Sequence, residues 1–64
     1  MIASTSLRAS SDAFYHMGRE TDAARCREMA DDAHRLGTLG NDLYRHWAAA
    51  MAQRATDKLN ERAR

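Results

Sequence analysis

Gly40-Asn41-Asp42-Leu43-Tyr44-Arg45-His46-Trp47 opens the longest unbroken helical pattern of this chain. Gly40 or Asn41 supplies a start signal, and neither glycine nor proline follows before the C-terminus. Apolar residues then recur at every fourth position, Leu43, Trp47, Met51, Ala55 and Leu59, widened by Tyr44, Ala48 and Ala52. A strict i+4 row drifts round the helix axis, so this stripe is expected to wrap slightly, as when a helix crosses a partner at an angle. Lys58, Arg62 and Arg64 sit at its negative dipole end.

Working back from that helix, Gly37-Thr38-Leu39-Gly40 reads as a loop. Gly37 suits the left-handed position that closes a preceding helix, and a short connection favours antiparallel neighbours. Before it, Ala23, Cys26, Ala30 and Ala33 follow 3-4-3 spacing, with Met29 and Leu36 widening the stripe. Gly18 separates this pattern from Phe14 and Met17, and the two faces are out of register. Either a second helix begins there, capped by Thr21, or one kinked helix runs from about residue 11 to residue 36. The continuous helix is the simpler reading, since an interior glycine costs only about 1 kcal/mol. Ser10 or Ser11 would cap it, with Asp12 favourably placed. Residues 1–9 are polar and without period, and are expected to be frayed or disordered. Residues 10–64 then form a single all-α domain: an antiparallel helical hairpin of kinked or split N-terminal helix, GTLG loop and long C-terminal helix.

Composition sharpens this. Sixty-four residues contain thirteen alanines, no valine, and only seven Leu, Ile and Phe. A chain of this length buries only about 60% of its unfolded surface. Two helices with so few large aliphatics leave the hairpin short of core, so completion by self-association or by a partner helix is expected. The net charge of +1 argues against plain disorder. A single cysteine, Cys26, excludes an internal disulfide framework and favours a reducing, cytoplasmic setting. No uncharged run approaches the roughly 20 residues of a membrane span, and the Ser/Thr-rich start lacks the apolar core of a signal peptide. Nine arginines against one lysine suggest a GC-rich, bacterial or phage source.

No chemistry-bearing constellation emerges. His16, Cys26, His34 and His46 match no zinc spacing, so no metal and no cofactor is expected. Asp31 and Asp32 beside His34 lie on one helix without an enclosing cleft, so the chain is expected not to be an enzyme. The expected function is a small protein–protein interaction module: an adaptor, small chaperone, inhibitor or regulatory subunit. Its partner-binding residues would be Phe14, Met17, Leu43, Tyr44, Trp47, Met51, Ala55 and Leu59, with Trp and Tyr as the usual anchors. The alternative is a dimeric nucleic-acid-binding regulator. It would use Arg54, Lys58 and Arg62, one i+4 row, with Arg45 near the same side.

Two resemblances point the same way. Tyr15-His16-Met17-Gly18 through Ala23 and Ala30 resembles one half of a tetratricopeptide repeat, though without its large aromatic, its proline or a second copy. The glycine loop followed by Tyr44 and Trp47 is similar to the two-helix co-chaperones of type III secretion needle subunits. Both resemblances imply helical chaperone or adaptor work.

Overall fold

Gly18 ends a helix rather than kinking one. In the computed structural model, which describes residues 2–63, Gly18 has φ +77°. Its N–H donates to the Tyr15 carbonyl (3.0 Å), and the Arg19 N–H reaches back to Phe14 (2.9 Å). Together these form a Schellman cap, which satisfies the last carbonyls of the turn and reverses the chain. Three helices result: α1 (Ala3–His16), α2 (Glu20–Arg35) and α3 (Thr38–Arg62). The continuous kinked helix is therefore replaced by two helices. Thr21 is not the cap of the second: Arg19 precedes it without a side-chain cap, and its guanidinium pairs with Asp22 at 2.8 Å.

The start of the chain differs most from expectation. Residues 3–9, read as frayed, are helical, and Met1 lies outside the described residues. Ser10 and Ser11 cap nothing; they are buried inside α1. The cause is a period masked by serine. Ala3, Leu7, Ser10 and Phe14, joined by Ser4 and Ser11, make one helical face. Serine occupies it because it is small, and the Ser11 hydroxyl is satisfied by the Ala23 carbonyl at 2.9 Å. Leu7 and Phe14 are fully buried and are the largest core side chains, each worth about 1.5–3 kcal/mol. The open amide at the head of α1 is capped from another helix: the Ala3 N–H donates to Asn41 Oδ1 at 2.8 Å.

α2 and α3 run antiparallel. Tyr44 bonds Asp32 and Arg54 pairs with Asp22, so partners ten residues apart on one helix meet partners ten apart, in reverse order, on the other. Only Leu36 and Gly37, with φ +62° at Gly37, connect them. The rest of the expected GTLG loop, Thr38 to Gly40, is the first turn of α3. Gly40 serves contact rather than flexibility, because a Cβ there would overlap the Ala33 carbonyl of α2. α2 contributes only Ala23, Cys26, Ala30 and Ala33 to the interior, so it lies close to its neighbours. In this register Glu20 stands level with Thr56, and the last turns of α3 project beyond the body. The molecule measures 39 × 17 × 13 Å.

Gly40→Ala is expected to cost at least about 2 kcal/mol, because backbone meets backbone there. Gly18→Ala should cost about 1–2 kcal/mol, from its positive φ alone. Urea unfolding followed by circular dichroism measures both. A Gly40→Ala loss under about 0.5 kcal/mol would contradict the close α2–α3 contact.

Candidate functional site

The i+4 row of α3 begins one turn earlier than expected, because Leu39 is inside the helix. Each step of four residues turns the helix by about 400°, a drift of about 40°. Over Leu39, Leu43, Trp47, Met51, Ala55 and Leu59 the wrap is therefore large rather than slight. The burial pattern follows it. Leu39, Leu43 and Trp47 are 58%, 56% and 49% exposed, Met51 and Ala55 are buried, and Leu59 is exposed again. The row enters the molecule from one side, crosses the core and leaves on the other.

This divides the expected binding residues. Phe14, Met51 and Ala55 are interior, and Met17 and Tyr44 pack against the core cluster. Leu43, Trp47 and Leu59 remain at the surface, and Leu59 belongs to the projecting end. The structure thus brings Leu43 and Trp47 together with Leu39, which the sequence reading missed. Its signal was available: Leu39 lies four residues before Leu43. Along this face Ala50 is also exposed, and Arg54 ends the uncharged stretch.

Tyr44 fixes how the face is presented. Its hydroxyl donates to Asp32 Oδ2 at 2.6 Å, and Arg35 pairs with the same carboxylate. These two hydrogen bonds, Tyr44 first, hold Asp32 below the ordinary carboxylate value of 3.8. The carboxylate in turn pushes the Tyr44 hydroxyl up. At the other end of the α2–α3 contact, burial pushes Asp22 up. The bonds and charges of Arg19 and Arg54 outweigh it, so this carboxyl also lies below its ordinary value. α3 is thereby pinned to α2 at both ends, turning Leu39, Leu43 and Trp47 outward.

The basic residues do not make one patch. Arg45 and Arg54 are nine residues apart, about half a turn round the helix, so the expectation that they share a side is corrected. Arg45 borders α1 beside Ala3, Ser6, Ala48 and Ala49. Arg54 faces α2 at 3.5 Å from Asp22, and Lys58 pairs with Glu61 at 3.2 Å. Arg62 lies in the projecting last turn. Cys26 is fully buried; burial and then Asp22 push its thiol up, with Arg25 opposing. Among the described residues no group of three or more His, Cys, Asp or Glu could hold a metal ion, and no helix is long and apolar enough to cross a membrane. A depression of about 300 Å³ lies at the α2–α3 connection between Ile2, His34 and Thr38. No family model, curated protein or solved structure matches the chain.

Asp22 and Asp32 give a pH signature. Both folded values are lowered, so their contribution is present at neutral pH and is lost as pH falls below about 4. The urea midpoint should drop between pH 7 and pH 3. Asp32→Asn should lower it at pH 7 while matching the parent more closely at pH 3. Parallel pH profiles for the two proteins would contradict the clamp.

Proposed function

We propose that this chain is a small helical protein–protein interaction module, of the adaptor, chaperone, inhibitor or regulatory-subunit kind. It works by packing the open face of α3 onto a protein surface, its own copy or another chain. One observation carries the reading: Leu39, Leu43 and Trp47 stand about half exposed in a row on α3. Large apolar side chains exposed singly are ordinary, but a contiguous row marks an association site. Tryptophan is the residue that most often anchors such sites. Phe14, Met51 and Ala55 then support the fold from within. The nucleic-acid reading draws less support, since Arg54 and Lys58 are paired within the chain and Arg45 points elsewhere.

The test is a photo-crosslinking amino acid placed at Leu43, with the same probe at exposed Asn60 as control. Adducts to protein should concentrate at residue 43. Trp47→Ala should weaken their formation by at least about 2 kcal/mol in affinity while helicity is retained. Equal adduct yields at residues 43 and 60 would overturn the proposal.

A further inference from the structure

We infer that the occupant of the open α3 face is a second copy of this chain, docked antiparallel about a two-fold axis at Leu43. This rests on the interaction-module reading and specifies its partner. The first ground is the symmetry of the row. Leu39 and Trp47 lie four residues either side of Leu43 on α3, all three exposed. An antiparallel two-fold pairing sets the bulk of Trp47 against the smaller Leu39 of the second copy, twice, with Leu43 against its own equivalent. An isologous interface requires this self-complementarity. A parallel pairing would instead stack Trp47 on Trp47 and leave Leu39 on Leu39, a face uneven in depth.

The second ground is polar complementarity at the rim. On the edge away from α2 the row is flanked by exposed Asp42 and His46. The same two-fold operation brings each Asp42 carboxylate to within about 3 Å, measured along the helix, of the level of the opposing His46. An acceptor thus meets a ring that can donate. Parallel pairing would put the two Asp42–His46 edges on opposite sides of the interface, where neither meets the other.

The third ground is area. Three large side chains about half exposed offer on the order of 350 Å² of apolar surface per chain. Doubled to about 700 Å², with a polar rim beside it, this lies in the class of weak, transient interfaces below about 1,200 Å² in total. The dimer is accordingly expected to be weak, forming between about micromolar and about millimolar chain concentration.

Sedimentation equilibrium of the whole chain, from about 1 μM to about 1 mM, reads this directly. Monomer giving way to dimer across that range is expected, with the Trp47 emission moving to the blue as dimer forms. Register is then read by diamide oxidation of variants carrying one added cysteine, the native Cys26 being fully buried. Leu43→Cys should cross-link to itself at least about tenfold faster than Trp47→Cys or Leu39→Cys alone, since only an on-axis residue meets its own copy within disulfide reach. A mixture of the last two should give the mixed dimer. Monomer at about 1 mM, or equal oxidation rates at all three positions, would overturn the inference. A monomer whose residue-43 photoprobe still labels another protein would sink the self-pairing alone and leave the interaction-module reading standing.

Discussion

A helix with large side chains at every fourth position cannot keep them on one face, because each step carries the row about 40° further round. Here that drift is shared between two tasks. Met51 and Ala55 pass through the interior, while Leu39, Leu43 and Trp47 are left outside at one end and Leu59 at the other. One helix therefore closes the core and offers an apolar surface. A heptad pattern would have buried the whole seam and left nothing to present. The backbone contact of Gly40 with Ala33 and the packing of Met51 and Ala55 set which arc of the row is covered, with Tyr44–Asp32 and Arg54–Asp22 beside them.

Small residues allow so slight a core to close. α2 lays alanines and a buried cysteine against its neighbours, Gly40 lets α3 touch it backbone to backbone, and α1 faces inward with serines. Close approach raises the number of favourable atomic contacts without large side chains. Leu7 and Phe14 then fill the space that remains. The first helix thus supplies the two largest fully buried side chains of the core. It also completes the bundle within one chain, as a hairpin alone could not.

Much of this was legible from residue order. The all-α class, the long final helix and the role of Gly37 follow from glycine placement and the spacing of Leu43, Trp47 and Met51. What was hidden was hidden by chemistry. Serine counts as polar in any hydropathy pattern, so the α1 face vanished into an apparently structureless leader. The cost of a mid-helix glycine argued for continuity through Gly18. The hydrogen bonds that a Schellman cap returns, and the burial gained when α2 folds back, outweigh it. For the candidate face, Leu43 and Trp47 were found and Leu39 was lost to an assumed loop. Met51 and Ala55 are inside because the row drifts far round α3, and Phe14 because serines complete its face of α1.

The most direct test compares Met51→Ala with Trp47→Ala in dilute, monomeric protein, by urea unfolding followed with circular dichroism. With the row crossing from surface to core between these residues, Met51→Ala should lose about 2–3 kcal/mol. Trp47→Ala, though the larger truncation, should lose less than Met51→Ala, since about half of its side chain already faces solvent. A Trp47→Ala loss equal to or greater than that of Met51→Ala would contradict the account, since it would place the tryptophan inside the fold and leave no open face on α3.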